Sequence, residues 1–305
     1  MNAILNLIRW KNLLMLLLGQ LLIKYALLEP FGVQTSLNGF AILLLILSTI
    51  CIAAAGNIIN DINDIETDFI NKPNKIIIGN SISEKMAYNL FIIFNFIGVS
   101  IGFYLSHSVN RAPFFSIFVI ISALLYVYAT YLKRMLLIGN IVISVLVALS
   151  IIIVGVFELL PSITSQNQQI QFTFFKIIFD YALFAFIINL LREITKDIED
   201  IDGDYKAEMK TLPIVIGRER AKNVLTALNF IPLFGIIFYV ISDLYKQPIA
   251  VGYFLLFVIA PQLYISIKTF SAKTKKNFHH ISNMYKIVML FGMLSLLLYK
   301  YVILN

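Results

Sequence analysis

Apolar runs of about 20 residues, separated by short polar segments, follow one another along almost the whole chain. A helix needs about 20 mostly apolar residues to cross the hydrocarbon core of a bilayer. The runs are continuous and do not alternate between apolar and polar positions, which argues against the strands of an outer-membrane barrel. The pattern therefore predicts an all-α, polytopic membrane protein. Its nine transmembrane helices are predicted at about residues 12–29, 40–60, 87–106, 112–132, 135–156, 173–191, 223–241, 250–267 and 284–303.

The composition agrees with a membrane protein. Hydrophobic residues make up 59% of the 305 residues and charged residues only 13%, against about 25% charged residues in soluble domains. The first run follows basic residues, as the apolar part of a signal peptide does. Lys24 interrupts this run and no small-residue cleavage site follows it, so we expect it to remain as a span. The single cysteine, Cys51, excludes an internal disulfide.

Basic residues are unevenly shared between the loops on the two sides of the predicted membrane. Of the 24 Lys and Arg residues, 19 lie at the amino end and in every second loop, three lie in the other loops, and Lys24 and Lys176 lie within spans. Cytoplasmic loops are enriched in Lys and Arg, so the basic side is predicted to face the cytoplasm of a bacterial or archaeal cell. The formal net charge of +7 then reflects topology and contact with membrane lipid, and we expect no nucleic-acid partner.

Acidic residues are concentrated in two windows that are near-copies of each other. The sequence DINDIETD covers Asp61–Asp68, and DIEDIDGD covers Asp197–Asp204, 136 residues later. Each window follows a predicted span that ends on the basic side, so the two windows can meet at one membrane surface. The repeat indicates two four-helix halves, at about residues 1–134 and 135–270, with the ninth span as an addition, all within a single domain of residues 1–305.

The spacing within each window places three acids on one helical face. At about 100° per residue, positions 0, +3 and +7 of a helix fall within an arc of about 60°, whereas Glu66 and Asp202 point elsewhere. Gly203 favours an early end of the second helix, which would leave Asp204 on a loop. The two predicted stripes consist of Asp61, Asp64 and Asp68 and of Asp197, Asp200 and Asp204.

Two facing stripes of carboxylates are typical of a site for a hard divalent cation. Mg²⁺ takes oxygen ligands and is usually held by a few carboxylates together with substrate phosphates. A single charged window is more often a solvated loop face. Two windows with the same spacing, both at span ends on the same side, favour a shared site instead. All six aspartates are therefore candidate Mg²⁺ ligands.

The motifs resemble those of the UbiA-type intramembrane prenyltransferases, and the resemblance covers nearly the whole chain. The first motif, within residues 57–75, reads NDINDIETDFINKPNK and matches the family's N-D-x-x-D-x-x-x-D and N-x-P elements, with Lys75 in place of an Arg. The second, within residues 193–217, reads EITKDIEDIDGDYKAEMKTLPIVIG and matches K-D-x-x-D-x-x-G-D and T-L-P-x-x-x-G, although Glu208 stands where a Gly is usual. Between them, YATYLKRMLLIGN resembles the family's segment with a Lys-Arg pair after the fourth span.

The resemblance implies Mg²⁺-dependent transfer of a polyprenyl group from its diphosphate to a lipophilic acceptor. It implies catalytic roles for four of the aspartates and for the Lys-Arg pair, which would add positive charge against the leaving diphosphate. The positive-inside rule alone would also place that pair there, and the nearby tyrosines are also typical interfacial anchors. The implied catalytic residues are Asp64, Asp68, Asp200, Asp204, Lys133 and Arg134. The implied substrate-binding residues are Asn12, Asn57, Asn60, Lys75, Tyr126, Tyr128, Tyr131, Arg192, Lys196, Lys206 and Lys210.

The acceptor is less clearly indicated by the sequence. Within the family, the second motif is most similar to enzymes that attach a second geranylgeranyl chain to geranylgeranylglyceryl phosphate, an ether-lipid step. This similarity implies geranylgeranyl diphosphate as the donor. We expect the acceptor's phosphate on the basic loop after the sixth span, which carries Lys206, Lys210, Arg218 and Arg220, although the positive-inside rule also explains these charges. An aromatic acceptor of a quinone, tocopherol or chlorophyll-type pathway remains an alternative, because a motif does not show the pocket walls.

A transporter or a lipid-binding scaffold is the alternative of another class. Transport sites usually require ionisable groups near the middle of the membrane. Lys24, Lys176 and Asp180 are the candidates within the spans, and all three are predicted near outer ends. Diphosphate release from a prenyl diphosphate in the presence of Mg²⁺ would separate a prenyltransferase from both alternatives.

Overall fold

The computed structural model describes residues 2–73 and 76–300. Within these residues, nine helices are long and apolar enough to cross a membrane, which confirms the predicted all-α membrane architecture. They are α2 (Trp10–Phe31), α3 (Gly39–Asn63), α5 (Glu84–Ser108), α6 (Ala112–Thr130), α7 (Ile138–Ser162), α8 (Gln168–Lys206), α10 (Arg218–Leu244), α11 (Pro248–Ser271) and α12 (Lys275–Leu298). Three short helices, α1 (Asn2–Leu7), α4 (Ile65–Asn71) and α9 (Leu212–Ile216), lie between or before them.

The helix α8 is much longer than the span predicted at residues 173–191. It has 39 residues, so at about 1.5 Å per residue it is about 58 Å long, roughly twice the thickness of a bilayer core. Its apolar part ends near Leu191, and the charged part that follows carries the second acidic window. The acids of that window therefore lie on a rigid extension of a membrane helix beyond the apolar part.

Two apolar clusters share α8 as their common wall. Ile178 and Ala182 pack with residues of α2, α3 and α7, whereas Ile188 and Ile194 pack with residues of α10, α11 and α12. Contacts of α8 with α7 and α12 are extensive, and its charged end contacts α4. The first acidic window is thus carried toward α8 by α4. The division into two four-helix halves remains a prediction.

The first acidic window is not one continuous helix, so the expectation of a single stripe along one helix was wrong. The helix α3 ends at Asn63, and Asp64, with φ −102° and ψ 6°, separates it from α4. The Asn63 amide donates to the Ile59 carbonyl at 2.8 Å, and the Thr67 hydroxyl donates to the Asp64 carbonyl at 2.9 Å. Such side-chain donors compete with the backbone for helix carbonyls, which accounts for a break at this point.

The expectation that Gly203 ends the second helix was also wrong. The helix α8 continues to Lys206, and Asp204 is helical. The side chain of Asn71, the last residue of α4, lies against Gly203 instead. Its Oδ1 accepts a hydrogen bond from the Gly203 N–H at 3.0 Å, and its Nδ2 donates to the Asp200 carbonyl at 2.9 Å. A Cβ atom at position 203 would lie 2.3 Å from Asn71 Nδ2, so glycine is needed here for close approach.

A buried ion pair lies near the carboxyl end of α2. Lys24, which the sequence places near an outer end, is 2% exposed, and its Nζ lies 3.1 Å from an oxygen of the fully buried Glu158 on α7. The Lys24 ammonium also donates to the Leu37 carbonyl, and the other Glu158 oxygen accepts from the Leu37 N–H. The pair therefore fixes the loop between α2 and α3, and Lys24 has a structural role.

We expect Gly203→Ala to lower the midpoint of thermal unfolding of the purified protein in detergent. The added methyl must displace Asn71, and overpacking of this kind costs about 1–3 kcal/mol. The matched control is Gly235→Ala on α10, where a Cβ atom has no neighbour within 4 Å and alanine is the better helix former. Equal midpoints for the two variants would contradict the proposed contact.

Candidate active site

A cavity of about 1110 Å³ opens where the two acidic windows meet. Its volume lies slightly above the roughly 300–1,000 Å³ found for small-molecule pockets. Walls come from α2, α3, α4, α6, α7, α8 and α12. All six predicted acids line it: Asp61, Asp64, Asp68, Asp197, Asp200 and Asp204. Glu66 and Asp202 are exposed and lie outside it.

Three of these carboxylates form close ion pairs with basic side chains from elsewhere in the chain. Arg9 Nη2 lies 2.6 Å from Asp61 Oδ1, Lys133 Nζ lies 2.5 Å from Asp64 Oδ1, and Lys72 Nζ lies 2.6 Å from Asp200 Oδ2. Lys72 is also 3.8 Å from Asp68, so it bridges the two acidic windows. These cations offset part of the repulsion between the acids.

The opening of the cavity, where the two acidic windows meet, is called the mouth here. The charged groups at the mouth shift one another's pKa values. Burial raises the pKa of the Asp68 carboxyl, and Lys72 opposes that shift only in part. Burial would lower the pKa of Lys72, but Asp200 and Asp68 outweigh it, so the pKa of Lys72 is raised. The Asp61 carboxylate raises the pKa of Arg9. Arg9 and Lys72 therefore remain charged in this surrounding.

Lys133 reaches the acids because the chain folds back sharply after α6. A Cβ atom at Gly139, near the start of α7, would lie 2.7 Å from the Lys133 Cα, so only glycine allows this approach. Lys133 is 8% exposed and faces the cavity. Arg134 does not line the cavity, and its carbonyl accepts a hydrogen bond from the Lys210 N–H at 2.8 Å.

Amide side chains supply further contacts to the acids. Asn60 Nδ2 donates to Asp64 Oδ2 at 2.6 Å, and Asn140 Nδ2, from α7, donates to Asp197 Oδ2 at 2.8 Å. Asn57 donates to the Ile8 carbonyl, and Asn12 lines the cavity. Asn140 was not assigned a role from the sequence. It directly follows Gly139, which packs against Lys133, so the same fold-back brings Asn140 to the site.

The residues at the mouth fit Mg²⁺ in their donor chemistry. The Oδ1 atoms of Asn60 and Asp200 are buried without a hydrogen-bond partner, and the available donors are carboxylate and amide oxygens, as Mg²⁺ requires. No three acids among the described residues are spaced to enclose a metal ion, and Lys72 lies between Asp68 and Asp200 while Lys133 pairs with Asp64. Binding of the ion would therefore require some of these ion pairs to rearrange.

A basic group lines another part of the cavity wall. Arg192 and Lys196, both on α8, each pair with Glu193, at 2.8 Å in both cases. Lys286, on α12, lines the cavity close to them. In the sequence Lys286 counts only as one of the basic residues that set topology. The one signal in the sequence is that Lys286 lies within a long apolar helix that contains no acidic residue to pair with it.

The predicted tyrosines do not act as a group. Tyr128 lines the cavity, whereas Tyr126 is 48% and Tyr131 63% exposed, and neither lines it. Residues two apart on a helix point about 200° apart, so Tyr126 and Tyr128 cannot share a face. Lys206 and Lys210 are also exposed and outside the cavity, which gives no support to their predicted role. Lys75 lies outside the described residues.

The remaining wall is apolar and extends into the membrane part of the molecule. Phe118, Leu125 and Tyr128 line it from α6, and Met289 and Met293 from α12. Gly56 on α3 allows close contact with Leu125, since a Cβ atom there would lie 2.8 Å from the leucine Cδ2. A charged mouth thus leads directly into an apolar chamber, which suits an amphipathic ligand with a charged head and a long apolar tail.

Comparison with known proteins shows the family of the chain. Residues 13–299 match the model of the UbiA prenyltransferase family. A digeranylgeranylglyceryl phosphate synthase from Methanosphaera stadtmanae is 30% identical over 258 residues, covering 82% of this chain and 86% of that protein. One from Korarchaeum cryptofilum is 30% identical over 312 residues, covering 98% and 97%.

Solved structures share the fold. One described as digeranylgeranylglyceryl phosphate synthase in membranes has a TM-score of 0.60 and 24% identity, covering 97% of this chain and 98% of that one. A UbiA homolog from Archaeoglobus fulgidus bound to DMAPP and Mg²⁺ has a TM-score of 0.57 and 18% identity, covering 96% and 99%. The chain belongs to the UbiA prenyltransferase family. It is a membrane-embedded prenyltransferase.

We expect Asp64→Ala and Asp200→Ala each to lower turnover by at least about 100-fold, or about 2.7 kcal/mol. Both carboxylates line the cavity, and each lies on a different acidic window. Glu66→Ala, which removes an exposed acid two residues from Asp64, should cost less than about tenfold. The measurement is release of diphosphate from geranylgeranyl diphosphate with Mg²⁺ and an acceptor. Similar losses in all three variants would mean that exposure does not separate functional from bystander acids.

Proposed function

We propose that this protein transfers a geranylgeranyl group from geranylgeranyl diphosphate to the free hydroxyl of geranylgeranylglyceryl phosphate, in a Mg²⁺-dependent step of ether-lipid synthesis. The observation that carries the proposal is the cavity, which joins an acidic mouth, basic side chains and an apolar chamber. The names of the archaeal relatives support the choice of acceptor. The proposed setting is an archaeal cell membrane, with the mouth facing the cytoplasm as the basic loops indicate.

The acids of both windows would hold Mg²⁺ together with the diphosphate. Bound there, the ion would supply Lewis-acid neutralisation of the charge that develops on the leaving diphosphate. The candidate ligands are Asp61, Asp64, Asp68, Asp197, Asp200 and Asp204. Structures of a UbiA homolog from Archaeoglobus fulgidus bound to DMAPP or GPP and Mg²⁺ support binding of a metal ion and a prenyl diphosphate.

Basic side chains at the mouth would bind the departing diphosphate directly. Lys133 lies against Asp64 and Lys72 against Asp200, so each already stands where a diphosphate held by the acids would sit. Charge-assisted hydrogen bonds of this kind are roughly twice as strong as neutral ones. The carbon–oxygen bond to the diphosphate breaks with the electron pair leaving on oxygen, and these donors stabilise the product.

The allylic cation left behind would be protected by the apolar wall. Phe118 and Tyr128 line the cavity below the mouth, and aromatic faces attract a nearby cation. Exclusion of water there prevents hydrolysis of the cation. The acceptor hydroxyl then forms the new ether bond, and its proton is released toward the aqueous mouth.

The apolar chamber would hold the isoprenoid chains. Burial of each CH₂ group contributes about 0.8 kcal/mol, and a geranylgeranyl chain offers many such groups. A volume of about 1110 Å³ exceeds the pocket of one drug-sized ligand, as expected for a site that takes two prenylated substrates.

A panel of acceptors tests the proposal. We expect the purified protein in lipid nanodiscs, given geranylgeranyl diphosphate and Mg²⁺, to prenylate geranylgeranylglyceryl phosphate and to leave 4-hydroxybenzoate, homogentisate and dihydroxynaphthoate largely unchanged, as read by mass spectrometry of the products. Asp200→Ala protein prepared in the same way provides the blank. Prenylation of an aromatic acceptor without any prenylation of the glycerol ether would overturn the acceptor and leave the family assignment intact.

A further inference from the structure

The basic group on the cavity wall differs in electrical character from the mouth. Arg192, Lys196 and Lys286 carry three positive charges, and Glu193 is the acid that pairs with the first two. Lys286 forms no ion pair or side-chain hydrogen bond with any described residue, and the Nε atom of Arg192 is buried without a partner. These donors are thus present on the cavity wall without a protein acceptor.

The packing of α12 on α8 brings Lys286 opposite Arg192. His279 on α12 contacts Glu199 on α8 at 2.9 Å, and Gly292 packs against the ring of Phe184, so the two helices run antiparallel. Lys286 lies seven residues after His279, and Arg192 lies seven residues before Glu199. Seven residues are nearly two full turns, or about 10.5 Å, so both side chains return to the facing surfaces at the same level.

The net charge of this group matches a phosphate monoester. Three cations and one carboxylate leave two positive charges, and the neighbouring Arg9 and Asp197 add one charge of each sign. A phosphate monoester carries about −1.5 to −2 charges at pH 7. The mouth has the opposite net charge, because its six aspartates outnumber Arg9, Lys72 and Lys133. Added positive charge would therefore stabilise the mouth. One cavity therefore has an acidic part suited to a metal-bound diphosphate and a basic part suited to an anion without a metal.

We propose that Lys286, together with Arg192 and Lys196, binds the phosphate of the acceptor, with Glu193 holding the latter two side chains in place. This assignment rests on the proposed function. It replaces Lys206 and Lys210, which lie outside the cavity, as the phosphate site. With the phosphate on this wall and the acceptor's isoprenoid chain in the apolar chamber, the free hydroxyl lies between the phosphate and the donor's reacting carbon.

A comparison of two acceptors tests the assignment. The substrates are geranylgeranylglyceryl phosphate and geranylgeranylglycerol, which lacks only the phosphate, each with saturating geranylgeranyl diphosphate and Mg²⁺. We expect Lys286→Met to lower kcat/KM for the phosphorylated acceptor by about tenfold or more, as loss of a charge-assisted hydrogen bond does. The kcat/KM for geranylgeranylglycerol and the KM for geranylgeranyl diphosphate should change by less than about twofold.

Two further variants control for folding and for loss of charge. Lys276→Met removes an exposed lysine from the same helix and should leave the preference for the phosphorylated acceptor unchanged. Lys286→Arg keeps the charge and should keep most of that preference. Activity on geranylgeranylglycerol serves as the check that each variant is folded.

Each other outcome overturns a different statement. If wild-type protein uses the phosphorylated acceptor but Lys286→Met retains the preference for it, the phosphate site is wrong and the proposed function stands. If the KM for geranylgeranyl diphosphate rises instead, Lys286 serves the donor, and the assignment is again wrong. If the wild-type protein shows no preference for the phosphorylated acceptor, the assignment and the proposed acceptor both fail.

Discussion

The structure depends on the cost of bringing six carboxylates to one wall of a partly buried cavity. Two like charges 4 Å apart repel by about 4 kcal/mol at an effective dielectric constant of 20. Arg9, Lys72 and Lys133 offset this repulsion by pairing with Asp61, Asp200 and Asp64. Each cation comes from a different part of the chain. These pairs therefore draw the amino end and the turn after α6 to the end of α3, and they draw the end of α4 to α8.

The ion pairs also make the mouth adaptable. Pairing compensates only part of the acidic charge, and lysines occupy the space between the carboxylates. Under the proposed function, Lys72 and Lys133 would exchange their carboxylate partners for the oxygens of a diphosphate that enters with Mg²⁺, and so would stay paired. Rigid backbone contacts, such as that of Asn71 with Gly203, keep the two acidic windows together during this exchange.

The basic group of Arg192, Lys196 and Lys286 gives the same cavity a second charged region. A diphosphate and a phosphate monoester would compete for a single cationic site, and their tails would then occupy the same chamber. Under the proposed function, separate acidic and basic regions would give the donor and the acceptor different anchors while both isoprenoid chains enter the apolar part. The buried pair of Lys24 and Glu158 fixes the loop between α2 and α3, so Lys24, one of the three ionisable candidates of the transport hypothesis, has a structural role.

The sequence predicted the features that follow from repeated local patterns. Runs of apolar residues predicted nine spans because bilayer thickness sets their length, and paired acidic windows predicted the meeting of Asp64 and Asp200 because both follow spans ending on one side. The break at Asp64 and the contact of Asn71 with Gly203 involve individual side-chain hydrogen bonds, which the periodicity of the sequence does not show.

Residues defined by long-range packing could not be found in this way. Lys286 faces Arg192 only because of the register between α8 and α12, and in the sequence it is one basic residue among many near membrane ends. Tyr126, Tyr128 and Tyr131 were predicted to bind substrate together because they are close in sequence. In the helix, the side chains of Tyr126 and Tyr128 point to different sides. Local patterns thus predicted the acidic half of the site, and tertiary structure was needed for the basic half.

Binding of Mn²⁺ as a spin probe for Mg²⁺ tests the central claim most directly. The measurement is Mn²⁺ affinity by electron paramagnetic resonance, with an unreactive geranylgeranyl thiodiphosphate present, in wild-type, Asp64→Asn and Asp200→Asn proteins. If the two acidic windows form one site for the metal and the diphosphate, affinity must fall in both variants. Wild-type affinity in either variant would show that one window suffices and would contradict the shared site.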